Sequence, residues 1–202
     1  MEKGLLVVIS GPSGTGKGTI CRELLKRVDA TLSISMTTRA PRPGEKEGRH
    51  YYFTDRERFE AHARAGGFFE HAEVYGERYG TPKEPALEAL AKGRDVILEI
   101  DTQGAMQVRE AYPEGVFIFV VPPSLAELKR RIEKRGGESP EKIALRLSKA
   151  EGEMAYREKY DYAVVNDKLA RAVDDVRAII RAEHLKVESN RRKKDAAGTV
   201  DH

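Results

Sequence analysis

The chain has 202 residues, 40% hydrophobic and 34% charged, which is enough for one soluble α/β domain with a real core. Its net charge of +3 gives no electrostatic case for a nucleic-acid partner, and its single cysteine, Cys21, excludes an intramolecular disulfide. No apolar run reaches membrane-spanning length and the first residues carry no secretory pattern, so the expectation is a cytoplasmic protein with no membrane partner.

The first predicted element is a strand, Leu5-Leu6-Val7-Val8-Ile9. Gly11, Pro12, Ser13, Gly14, Thr15, Gly16, Lys17, Gly18 and Thr19 follow, and then a segment with Ile20, Cys21, Leu24, Leu25 and Val28 on one helical face. Strand, glycine-rich loop and helix in that order make a phosphate cradle. The loop N–H groups converge on an anion, the helix dipole adds to them, and Lys17 reaches the outer phosphates. The spacing G-x-x-x-x-G-K is that of a P-loop. The alternative is a chance glycine-rich turn between a strand and a helix, but here both flanking elements stand where the motif needs them. One position departs: Gly18 stands where a Ser or Thr is usual, and the hydroxyl of Thr19 lies about 100° further round the helix. Cys21, on the apolar face, reads as a small buried hydrophobe.

From Ser33 to Leu90 the chain is richer in aromatic and charged residues, and an insert on the main sheet is expected there. Phe68, Glu70, Ala72 and Val74 alternate as on one face of a strand, and Thr81-Pro82-Lys83-Glu84 has the form of a capping box. Earlier in the insert, Arg39 and Arg42 stand three residues apart in a proline-fixed loop. Two readings fit them. They fork on one phosphate, with Tyr51 and Tyr79 donating hydroxyls, or they pair with Glu45 and Glu47 on a solvated loop.

Val96–Asp101, Val116–Val121 and Tyr162–Val165 are predicted to be further buried parallel strands. Helices are predicted over Ser124–Arg135, over Ser139–Tyr156 with Ser139 as N-cap, and over Leu169–Leu185 with Leu169, Val173, Val176 and Ile180 inward. Residues 188–202, with Arg191-Arg192-Lys193-Lys194, read as a polar disordered tail.

The order of these segments resembles the guanylate kinase family. The resemblance rests on Gly11–Thr19, Ser35–Glu45, Gly48–Phe53, Phe69-Glu70, Tyr79–Thr81, Ile100–Gly104, Pro122–Ser124 and Arg135-Gly136. It implies transfer of the γ-phosphoryl group of ATP to GMP, and to dGMP, with Mg²⁺ accompanying ATP. It also implies a core (about 1–33, 91–126 and 157–187), a GMP-binding insert (34–90) and a lid (127–156). Ser35, Arg39, Arg42, Glu45, Tyr51, Glu70, Tyr79, Thr81, Glu99 and Asp101 are then expected at the acceptor. Gly11–Thr19 and Asn166 are expected at ATP. Lys17, Arg39, Arg131, Arg135 and Arg146 are expected to supply positive charge to the transferred group. Glu70 suits guanine because a carboxylate accepts from N1–H and N2–H together, whereas adenine has no proton on N1. Without the P-loop hydroxyl, Mg²⁺ is expected on ATP oxygens and water, with Glu99 and Asp101 nearby; Asp101 has the alternative of meeting the acceptor. Two rival readings remain: a phosphopeptide-binding domain that has lost catalysis, and a kinase for another phosphorylated acceptor.

Overall fold

The structure is a computed structural model that describes residues 3–134 and 139–187. Its main sheet has five parallel strands in the order β2-β7-β1-β8-β9. These are β1 (Leu6–Ser10), β2 (Ala30–Leu32), β7 (Asp95–Glu99), β8 (Val116–Val121) and β9 (Tyr162–Val165). All of β1 and β8 is buried, because helices cover both faces, and continuous apolar runs are the sequence consequence. On one face α1 (Lys17–Leu24) and α7 (Leu169–His184) pack through Ile20, Cys21, Leu24, Val173, Val176 and Ile180. On the other, α3 (Lys83–Ala91) and α4 (Thr102–Ala111) pack through Ala86, Leu90, Ala105 and Val108.

The predicted strands are all present, but β9 is not buried throughout: it lies at the sheet edge, where only Val164 is fully covered and Val165 is exposed. Cys21 is buried, and burial pushes its thiol up to about 12, which removes it as a nucleophile. Leu169 departs from the expected inner stripe of α7. It is exposed, and Ala172 takes the inward position. The basic run at 191–194 lies outside the described residues.

A second, four-stranded sheet has the order β4-β3-β6-β5. It comprises β3 (Met36–Thr37), β4 (Tyr52–Phe53), β5 (Phe68–Val74) and β6 (Glu77–Pro82), with α2 (Arg56–Arg64) packed on it. The simple alternation expected along β5 breaks at its start. The register with β6 slips between Phe68 and Glu70, so both Phe68 and Phe69 are buried. Phe68 stacks on Phe59 of the insert, while Phe69 enters the main core beside Tyr112. The bulge thus ties the small sheet to the large one just before Glu70.

Two more helices, α5 (Leu125–Lys134) and α6 (Pro140–Met154), join through a separate apolar cluster of Leu128, Ile132 and Ala150. Ser139 caps α6 as expected, accepting from the Lys142 N–H. A 3-10 turn, Ala155–Lys159, returns the chain to β9.

Candidate active site

The loop after β1 lies at the carboxyl ends of the strands, between neighbours β7 and β8, where open parallel sheets form their clefts. Thr15 Oγ1 donates to the Pro12 carbonyl at 2.9 Å, so this hydroxyl closes the loop and does not face a ligand. Gly16 adopts φ +94° as the N-cap of α1, a conformation that favours glycine. Lys17 folds back and donates from Nζ to the carbonyls of Gly11 at 2.6 Å and Pro12 at 3.1 Å. Burial pushes its ammonium below the ordinary value, and Glu99 opposes that.

A cleft of about 430 Å³ opens over this loop. Lys17, Gly18, Glu99 and Asp101 line its floor, and Arg146, Lys149 and Glu153 of α6 line its other wall. Gly18 explains part of the floor. A Cβ there would sit 3.1 and 3.2 Å from the two Glu99 carboxylate oxygens. The glycine therefore leaves Glu99 open to the cleft. Partial desolvation raises the Glu99 carboxyl, and Lys17 counteracts it.

Thr19 faces elsewhere. It borders a second cleft of about 520 Å³, with Gly14, Gly16, Arg131, Asn166 and Asp167. Asn166 is buried and donates to the Thr15 carbonyl at 2.7 Å. Arg131 donates to the Asn166 carbonyl at 2.9 Å and to Glu127 at 2.7 Å. Glu127 also pairs with Arg130, and the two guanidinium groups pull its carboxyl down to about 2. Arg146 donates to Ser13 Oγ at 2.8 Å. The two helices thus bring Arg131 and Arg146 to the same loop from different sides. Arg135 lies outside the described residues.

In the insert, β5 packs against α4, whose N-cap Asp101 lines the first cleft. Thr81 Oγ1 donates to Glu70 Oε1 at 2.6 Å. This overturns the capping-box reading: α3 has Pro82 as its N-cap without a side-chain bond, because the Thr81 hydroxyl is engaged across the strand pair. Asp101 caps α4 through the Gly104 N–H at 2.8 Å. A Cβ on Gly104 would lie 3.2 Å from Glu70 Oε2 and 3.4 Å from Asp101 Oδ1, so both carboxylates converge over one glycine. Burial pushes the Glu70 carboxyl up; the Thr81 hydrogen bond opposes this, and the Asp101 charge adds to it.

Arg39 pairs with Glu45, as in the second of the two readings of this loop. Its Nη2 donates to both Glu45 oxygens at 3.0 Å, its Nε to the Tyr79 hydroxyl at 3.3 Å, and it lies 5.4 Å over the Tyr51 ring. Glu45 also accepts from the Arg42 N–H at 2.8 Å, and pairing with Arg39 holds its carboxyl below the usual range. The loop is therefore shaped by Glu45, while the Arg42 side chain stays exposed. Ser35, just before β3, accepts the Tyr52 N–H at 2.9 Å through its carbonyl.

Residues 3–183 match the family model described as guanylate kinase. Guanylate kinase of Clostridium tetani is 56% identical over 188 residues, spanning 93% of this chain and 90% of that protein. A guanylate kinase of Thermus thermophilus is 55% identical over 181 residues, spanning 90% and 82%. The crystal structure of guanylate kinase from Anaplasma phagocytophilum matches with a TM-score of 0.73 at 38% identity, over 93% of this chain and 89% of that one. The chain belongs to the guanylate kinase family. A guanylate kinase is a phosphotransferase. Lys149 and Glu153 also line the first cleft, although no motif marks them in the sequence. Their signal was the spacing of Arg146, Lys149 and Glu153, which puts all three on one helix face.

Proposed function

We propose that this chain transfers the γ-phosphoryl group of ATP to GMP, giving ADP and GDP. The observation that carries the reading is the position of Asp101. It borders the Lys17 cleft and also converges with Glu70 over Gly104, so one carboxylate separates the two sites. Two nucleotides seated on either side of it would meet at their phosphates, which is the arrangement an in-line displacement needs.

At the acceptor, Glu70 accepts from guanine N1–H and N2–H, and Thr81 holds that carboxylate in place. Arg39, Tyr51 and Tyr79 form a preset donor cluster for the GMP phosphate, Arg42 joins from the exposed loop, and Ser35 lies at the base. At the donor, the N–H groups of residues 11–19 cradle the phosphates. The second cleft, with Asn166, receives adenine. Lys17 leaves its two carbonyl partners for the β- and γ-phosphates, and Arg146 and Arg131 add charge where it builds up. Closure of α5 and α6 as a lid excludes water. Every substrate here is a soluble nucleotide, which suits a cytoplasmic enzyme.

The floor of the cleft fits Mg²⁺. Glu99 and Asp101 offer hard oxygen donors where Gly18 offers none, and they would hold the ion together with water and ATP oxygens. When bound, the ion neutralises phosphate charge.

A coupled assay of ADP release tests the reading with ATP and each of GMP, dGMP, AMP, UMP and CMP as acceptor. Turnover with GMP and dGMP alone is expected. Equal use of AMP would remove the role given to Glu70, and no turnover with any nucleotide would remove the kinase reading.

A further inference from the structure

A pocket made only for polyphosphate has no use for carboxylates, yet this one has three. Lys17, Arg146 and Lys149 face Glu99, Asp101 and Glu153 around one cleft, so the formal charges of these six side chains cancel. Glu99 and Asp101 belong to the floor at the end of β7. Glu153 is different. It comes from the opposite wall, on the same face of α6 as Arg146, which reaches Ser13 of the loop. Its carboxyl is half-buried. Burial raises it, while Lys149, Lys17 and the Ser13 N–H favour its charged form and Asp101 disfavours it. Glu153 is thus a charge facing the phosphate loop itself.

We propose that Glu153 makes the donor pocket select metal-complexed ATP over bare ATP. Bare ATP carries about four negative charges and its magnesium complex about two, so a fixed carboxylate repels the bare form more strongly. Arg146 and Lys149 attract both forms, and Glu153 subtracts from that attraction where the phosphates must pass. This inference rests on the reading of the Lys17 cleft as the ATP site.

The test is isothermal titration of the protein with ATP in EDTA and with ATP in excess Mg²⁺, without acceptor. The wild type, Glu153→Gln and Glu153→Asp are compared, and thermal melts of each confirm folding. The quantity read is the ratio of the two Kd values. In Glu153→Gln that ratio is expected to fall about fivefold, chiefly because bare ATP binds more tightly, and raised salt should shrink the effect. Glu153→Asp, which keeps the charge, should retain most of the wild-type ratio. An unchanged ratio in Glu153→Gln overturns the proposal. So does an equal fall in Glu153→Asp, or a fall caused only by weaker binding of the magnesium complex. If the wild type binds neither form of ATP, the ATP reading of the cleft is itself refuted.

Discussion

Thr81 donates its hydroxyl to Glu70 at 2.6 Å from the facing strand, and this bond sets the orientation in which the Glu70 carboxylate meets a ligand. Oε1 accepts this bond and keeps a second lone pair, while Oε2 lies over Gly104 beside Asp101. A carboxylate so constrained reads hydrogen-bond donors on a ring edge by geometry, with little room to adapt.

Glu70→Gln is expected to lower kcat/KM for GMP by roughly 10²–10³, because a donor then meets the guanine donors. Thr81 can still donate to the Gln oxygen, so the local fold is expected to survive. Steady-state kinetics with GMP varied at fixed ATP, alongside ATP binding by titration, check this. Equal loss of ATP affinity would point to misfolding instead.

The same residue gives a pH prediction. Burial raises the Glu70 carboxyl above its ordinary value of 4.5. Its charged form is needed to accept from guanine, so kcat/KM for GMP should fall on acidification at a pH above that value. Stability moves the other way. A carboxyl raised on folding costs stability above its folded pKa, and the cost disappears as pH falls through that value. Glu70→Gln should therefore melt higher than wild type near neutral pH, and the gap should close in acid. Melting curves across pH check the sign.

Lys17→Ala should lower kcat by roughly 10²–10³ through lost charge at the transferred group. Its effect on stability should be smaller, since burial already disfavours the Lys17 ammonium and offsets what its two carbonyl bonds and the nearby carboxylates contribute. Stopped-time assays and thermal melts separate the two effects. Unchanged turnover would refute the role.

Much of this was legible in the chain because the central strands carry unbroken apolar runs, and buried parallel strands need nothing else to be seen. Short strands such as β3 and β4 have two residues each and no periodicity to detect. Thr81 departs from the capping box for a physical reason. A Thr-Pro-Lys-Glu run suits a helix start, and only the strand opposite, bringing Glu70 within 2.6 Å, diverts the hydroxyl. Arg39 and Arg42 look equivalent in sequence, yet Glu45 holds the Arg39 guanidinium and only the Arg42 backbone. Long-range pairing decided each of these outcomes, and local spacing does not encode it.

Gly16 and Asn166 make the last prediction, because one limits the other. A Cβ on Gly16 would lie 2.5 Å from Asn166 Nδ2, and Gly16 also sits at φ +94°. Gly16→Ala should cost about 1–2 kcal/mol for the left-handed backbone alone. It should cost more because Asn166 must leave the Thr15 carbonyl that it meets at 2.7 Å. Asn166→Ala should cost about 1–3 kcal/mol by leaving that buried carbonyl with poorer partners. In the double variant the clash no longer exists and the bond is lost only once. The combined destabilisation should therefore be smaller than the sum of the two, by about 1 kcal/mol or more. Denaturant unfolding of the four proteins measures this. Strict additivity would mean that Asn166 moves aside freely and does not pin the loop.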